Sequence, residues 1–269
     1  MITLTKEQIL FQAKRHHEAE KARKQITAIT VEHPNMTIED AYAIQSAWKD
    51  IKLKEGRTII GHKIGLTSKI MQRTMNITES DFGFLLDDMV FEDGGTIKTA
   101  NFTDPRIEVE LAFVLKKPLK GANVTIFDVL NATDYVVPAL ELIAARSYRI
   151  DPNTGYKRTV KDTISDNAAN GGIIMGGRPM KPDAIDLRWV GALLYKNGVI
   201  EESGVAAAVL NHPANGIAWL AKKYAKLGLT LEPGQVILAG SFTGALKVKS
   251  GDTIHADFKE MGSITCYFE

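Results

Sequence analysis

The sequence predicts an α+β fold, with a helical N-terminal region ahead of a β-rich domain. Three observations predict it: helical spacing of apolar residues before residue 57, apolar and alternating strands after residue 58, and a strand–turn–strand rhythm in the tail. The boundary reads as residues 1–57 for the helical region and residues 58–269 for the β-rich domain.

The elements follow in order. Thr5 caps a helix over residues 5–24, where Ile9, Leu10 and Ala13 recur at helical spacing. A second helix opens at Thr37 with Glu39 and Asp40 in its first turn, where the helix dipole favours acid, and ends at Gly56. Thr58–Gly65 reads as a strand, Ser68–Met75 as a short helix, and Asp81–Phe91 as part strand, part loop. Arg106–Leu115 and Tyr135–Ile143 are strong strands, with a short helix from Thr125 between them. Residues 150–170 are polar, contain Pro152 and Gly155, and read as a loop. Gly171–Gly176 and Leu187–Tyr195 read as strands, and Lys196-Asn197-Gly198 as a hairpin turn. His212–Lys226 is a helix with Pro213 near its first turn. Strands at Gln235–Ala239, Leu246–Val248, Thr253–Phe258 and Ser263–Phe268 complete the chain.

The 269 residues carry a net charge of +1, so no global field attracts nucleic acid or anionic lipid, and function must come from a local site. The single cysteine, Cys266, cannot form an internal disulfide and reads as structural. The charged N-terminal stretch lacks the apolar core of a signal peptide, and no run is apolar enough to span a membrane. These features predict a cytoplasmic protein. A Walker A loop, a dinucleotide-binding glycine fingerprint and a G-x-S-x-G elbow are all missing from the sequence.

The chemistry gathers in carboxylates. In Arg106–Leu115 side chains alternate, so Glu108 and Glu110 share one face while Ile107, Val109, Leu111 and Phe113 take the other. The acidic face is either wet or a pocket wall; its continuation into Ala112 and Val114 favours the wall. Glu141 sits in an apolar run, where a lone carboxylate is costly unless paired or metal-bound. Arg106 and Arg146 are the available pairing partners. Three glutamates on two strands make a hard oxygen donor set, suited to Mg²⁺ or Mn²⁺ and unlike a structural zinc site.

Lys63 lies between Gly61 and Gly65, in a strand that the glycines open to close approach. It reads as a surface lysine, an acid/base group, or a cation for a substrate carboxylate. Asp81 is a second acid/base candidate or a turn cap, and His62 faces away from Lys63. The run SDNAAN (165–170), with Ser165, reads as a site for an oxygen-rich ligand or as turn chemistry, and GSFTG (240–244), with Ser241, follows a strand and could present hydroxyls and amides to a carboxylate.

Taken together, TIEDAYAIQ, EGRTIIGHKIGLTSK, LLDDM, PRIEVELAFVL, NATDYVVPALELI, DTISDNAAN, GGRPMKPD, NGVIEESGVAAAVLNHPANGIAWLA and MGSITCYF span nearly the whole chain. The chain resembles the hydratase/decarboxylase branch of the fumarylacetoacetase-like superfamily. The resemblance implies a mixed β-roll core and makes Glu108, Glu110 and Glu141 the metal ligands, Lys63 and Asp81 the catalytic residues, and Ser165 and Ser241 substrate contacts. It implies a Mg²⁺-dependent hydro-lyase acting on an unsaturated seven-carbon 2-oxo dicarboxylic acid of 4-hydroxyphenylacetate breakdown. The sister activities, hydration of the five-carbon dienoate and decarboxylation of 4-oxalocrotonate, stay open. It also implies a homo-oligomer, with a decamer as one form, and association with the downstream aldolase. Arg146, Arg149, Arg158 and Lys161 are candidates for reading the far carboxylate.

Overall fold

Threonine begins three of the helices by the same device. Thr5 and Gln8, Thr37 and Asp40, and Thr125 and Asp128 exchange side-chain-to-backbone hydrogen bonds, opening α1 (Lys6–Ala22), α3 (Ile38–Lys54) and α5 (Ile126–Ala132). A single turn, α2 (Ile29–Glu32), lies between the first two. This computed structural model describes residues 1–74 and 77–269. The expected helix at Ser68–Met75 is α4 (Lys69–Thr74), and Met75 lies outside the described residues.

Two sheets follow. The larger contains β1 (Ile59–Gly65), β2 (Asp81–Leu86), β3 (Val90–Phe91), β5 (Arg106–Leu115), β6 (Thr133–Ile143), β7 (Asn170–Met175), β10 (Val236–Leu238) and β11 (Leu246–Lys247). Its order is β2-β1-β10-β5-β6-β7-β3, with β11 also on β5. The smaller contains β4 (Thr96–Ile97), β8 (Gly191–Lys196), β9 (Val199–Val205), β12 (Thr253–Asp257) and β13 (Ser263–Phe268), in the order β4-β13-β12-β8-β9. The curled sheets are the mixed β-roll that the resemblance implies, behind the helical N-terminal region that the sequence predicts.

Alternation along the strands sets what each face meets. Ile107, Val109, Leu111 and Phe113 of β5 pack into a core shared with Leu194, Ile254 and Ile264 of the smaller sheet. Ile217, Leu220 and Tyr224 of α7 (Pro213–Lys226) join that core. Ala112, Val137, Ala139 and Leu238 line the opposite face of the large sheet. Trp48 and Ile44 of α3 pack with Phe84 and Leu86 of β2 and with Ile164, which ties the helical region to the sheet edge. No helix among the described residues is long and apolar enough to cross a membrane.

Two expectations need correction. Residues 150–170 are not all loop, because α6 (Val160–Ser165) forms where Asp162 accepts from the Thr159 amide at 2.8 Å. Polar composition hides this helix: its Asp162 is buried and also accepts from Thr30. Leu187–Trp189 is a 3-10 turn capped by Asp186, so β8 starts only at Gly191.

Candidate active site

Strand register builds the acidic centre. In the antiparallel β5–β6 pair Glu108 stands opposite Glu141, and Glu110 opposite Ala139. All three carboxylates therefore share one face, and one oxygen from each lies within 4.8 Å of the others. Glu110 and Glu141 are each only 1% exposed. Both carboxylate oxygens of Glu141 and Oε1 of Glu110 lack any hydrogen-bond partner, while Glu110 Oε2 accepts from the Gly240 amide at 2.8 Å. Unpaired buried carboxylate oxygens are costly, and a cation is what relieves them. Burial, then the neighbouring Glu141, pushes Glu108 up to about 7 and holds Glu110 well above the usual carboxylate range. The residues fit a hard divalent ion: three converging oxygen donors, mostly buried, with orphaned lone pairs.

Lys63 and Asp81 join the same face. Gly65 pairs with Asp81 and Lys63 with Gly83 across β1–β2, and β10 links β1 to β5. Lys63 Nζ lies 3.2 Å from Glu141 Oε1, an ion pair without hydrogen-bond alignment. Burial pulls the Lys63 pKa down, but Glu141, Asp81, Glu110 and Glu108 outweigh it and hold the ammonium above its ordinary value. Burial raises Asp81, against the pull of Lys63. Gly65 leaves room for both side chains: a Cβ there would stand 2.2 Å from Asp81 Oδ1 and 3.2 Å from Lys63 Nζ. Gly240 (φ +117°) likewise has no room for a side chain against Thr67, and its amide serves Glu110.

A cleft of about 420 Å³ opens onto this face, lined by Lys63, Asp81, Glu108, Glu110 and Ser241 among others. Ser241 donates to the Thr243 carbonyl at 2.9 Å and accepts from the Thr243 amide at 3.1 Å. Thr243 Oγ1 in turn accepts from the Val109 amide, between the two β5 glutamates. The structure does not bring Ser165 to this cleft. Its hydroxyl donates to the Asp162 carbonyl and lies against His16, fully buried at the end of α6. His62 faces away from Lys63, as alternation requires, and meets the Tyr224 hydroxyl at 2.8 Å. Burial pushes that imidazole down to about 3, so it stays neutral. Arg106 and Arg146, the alternative partners for Glu141, are bound to Asp104 and Asp166 instead.

Gly65, Gly240 and Thr243 are the contributors that residue type alone did not single out. The glycines flanking Lys63 carried a signal for the first and the GSFTG run for the other two, but that Gly240 and Thr243 serve β5 depends on β10 docking beside it.

Three clustered glutamates that could hold a divalent cation, with Lys63 and Asp81 buried on the same face of a cleft, fit a metal-dependent enzyme of small anionic molecules. Residues 61–268 match the fumarylacetoacetate (FAA) hydrolase C-terminal family, and the chain belongs to it. It is 63% identical to 2-oxo-hept-4-ene-1,7-dioate hydratase of Escherichia coli, over 95% of this chain and 96% of that one. It is 37% identical to 2-hydroxyhexa-2,4-dienoate hydratase of Comamonas testosteroni, over 96% of each. A solved structure of 4-oxalocrotonate decarboxylase from Pseudomonas putida G7, complexed with magnesium and adipate, is similar with TM-score 0.95. It shares 35% identity and covers 100% of both chains.

Proposed function

We propose that this chain is a Mg²⁺-dependent hydratase that adds water to 2-oxohept-4-ene-1,7-dioate, giving 4-hydroxy-2-oxoheptane-1,7-dioate. The observation that carries the reading is the 63% identity to a hydratase of that diacid across 95% of the chain. The site supports it, because the donor set, the ammonium and the buried acid are those a 2-oxo acid needs.

Glu108, Glu110 and Glu141 hold the cation, Mg²⁺ or Mn²⁺, through the oxygens that otherwise lack partners. Bound there, it supplies a Lewis acid for the 2-oxo acid end of the substrate. An isolated 4-ene does not accept water, so the double bond must first move into conjugation with the carbonyl. Lys63 and Asp81 carry the protons for that shift: one leaves C3 and one arrives at C5. Water then adds at C4 as a proton returns to C3, and the product contains the substrate plus one water. Ser241 stands in the cleft lining as a substrate contact.

The same proposal places the chain in 4-hydroxyphenylacetate breakdown, in the cytoplasm, and as a homo-oligomer. A 4-hydroxy-2-oxo acid is set up for retro-aldol cleavage, which supports association with a downstream aldolase. The reading treats residues 58–269 as the catalytic domain and residues 1–57 as its helical region, and the family match over residues 61–268 supports that division. The test follows loss of the dienol absorbance of 2-hydroxyhepta-2,4-dienedioate, with Mg²⁺ and after chelation, while carbon dioxide is measured. Metal-dependent loss without carbon dioxide is expected. Release of carbon dioxide from 4-oxalocrotonate as the faster reaction would replace hydration with decarboxylation.

A further inference from the structure

The cleft also contains two guanidinium groups that the metal centre does not use. Arg149 and Arg158 both line it. Among the described residues, neither forms an ion pair or hydrogen bond with Glu108, Glu110, Glu141 or Asp81. Arg149 acts on Glu108 and Arg158 on Asp81 only through space, while the direct pairing on the acidic floor is that of Lys63 with Glu141.

Each arginine is fixed at one corner and open elsewhere. Arg149 donates from Nε to Asp104 at 2.6 Å, and its buried Nη2 has no partner. Arg158, 7% exposed, donates only from Nη1, to the carbonyl and hydroxyl of Ser147 at 3.3 and 3.4 Å. The aspartates behind them are shared. Asp104 also meets Arg106 and Lys247, each at 3.5 Å. Asp166 is taken by Arg146 at 2.5 Å and stands 3.8 Å from Arg158. Cations therefore outnumber anions around this wall, while anions outnumber cations on the floor. Burial, and next the charge of Arg149, pulls Arg158 down to about 10, the direction expected of two cations short of counter-charge.

The two other candidates are excluded by their contacts. Arg146 spends its guanidinium on Asp166 and on the carbonyls of Asn170 and Asp166. Lys161 donates to the Met36 carbonyl, away from the cleft.

Resting on the hydratase reading, we propose that Arg149 and Arg158 are the specificity-determining residues that take the C7 carboxylate of the diacid. A planar fork of N–H donors suits a carboxylate, and an unpaired buried donor gains most from meeting one. A polarised cleft, anionic where the metal sits and cationic at this wall, orients a ligand that chelates at one end and is charged at the other.

The experiment compares 2-hydroxyhepta-2,4-dienedioate with 2-hydroxypenta-2,4-dienoate, which lacks the second carboxylate, in wild type, Arg149→Gln, Arg158→Gln and Arg158→Lys. The ratio of kcat/KM for diacid over monoacid should fall about 30-fold or more in each glutamine variant, mainly through the diacid KM. Arg158→Lys should recover part of the ratio. Calorimetric binding of the non-reacting 2-oxoheptanedioate should weaken in step, and Mg²⁺ titration should stay as in wild type. If Arg158→Gln fails to fold, Arg149→Gln and Arg158→Lys decide. An unchanged ratio, or equal losses on both substrates, overturns the proposal and leaves the hydratase reading standing. A wild type that turns over neither dienoate overturns the hydratase reading, and the arginine assignment falls with it.

Discussion

Two buried charged clusters, one at the end of α6 and one on the face of the large sheet, differ in one respect. Around Asp166, the central carboxylate and the Arg146 guanidinium satisfy each other. Its carboxylate accepts from the Arg146 Nε at 2.5 Å and from the Arg146 amide at 2.8 Å. Arg146 donates onward to two carbonyls, and its guanidinium lies 5.0 Å from the centre of the Trp48 ring. Around Glu141, three glutamates and Asp81 face a single Lys63, and carboxylate oxygens are left bare. Burial is nearly complete in both, with Asp166 at 0% and Glu141 at 1% exposure. What separates structural from functional charge here is satisfaction, not depth.

The largest expected effect is on turnover. Lys63→Ala should lower kcat by about 10²–10⁴-fold while leaving calorimetric Mg²⁺ titration close to wild type. Activity within a few-fold of wild type would remove Lys63 from the chemistry.

Next comes stability, where the clusters should behave oppositely. Asp166→Ala strands Arg146 and should cost about 3–5 kcal/mol in urea unfolding. Glu141→Gln, measured without metal, should cost far less, because it removes one of several crowded like charges. The same variant should lose Mg²⁺ binding. Equal stability losses in the two variants would erase the distinction.

Metal should repair the unsatisfied cluster. Mg²⁺ at 100 times its dissociation constant should stabilise wild type by about 2.7 kcal/mol, and Glu141→Gln by almost nothing. Unfolding midpoints with and without chelator measure both.

The smallest effect is on pH dependence. Glu108 titrates at about 7 in the fold, above an ordinary glutamate at 4.5. The metal-free protein therefore holds the extra proton in this window. This group's contribution is favourable at low pH and is lost as pH rises through about 7. Mg²⁺ competes with that proton, so its affinity should weaken as pH falls below about 7. Calorimetry between pH 5.5 and 8.5 checks the slope, and Glu108→Gln should flatten it.

Much of this was legible in the sequence because strands advertise themselves by alternation. The two faces of residues 106–115 and the stranded Glu141 could be read directly, and the fold class followed from where the two periodicities change. Register could not be read: nothing local says that Glu108 stands opposite Glu141. Nor does a short polar segment reveal that Ser165 closes a buried helix while Ser241 reaches the cleft. The arginines looked alike in the chain because their sorting depends on which aspartate each one meets in space.

Strand β10 has a consequence for how the site comes into being. Lys63 and the glutamates are all present by residue 141, yet β1 and β5 do not pair with each other. Residues 236–238 slide between them, parallel to one and antiparallel to the other. A chain emerging from the ribosome therefore carries its whole catalytic set long before it has a catalytic centre. Pairing across so many intervening residues is slow. A truncation just before Val236 should leave Lys63, Asp81 and the three glutamates in the chain, remove Ser241 with β10, and show no activity at all.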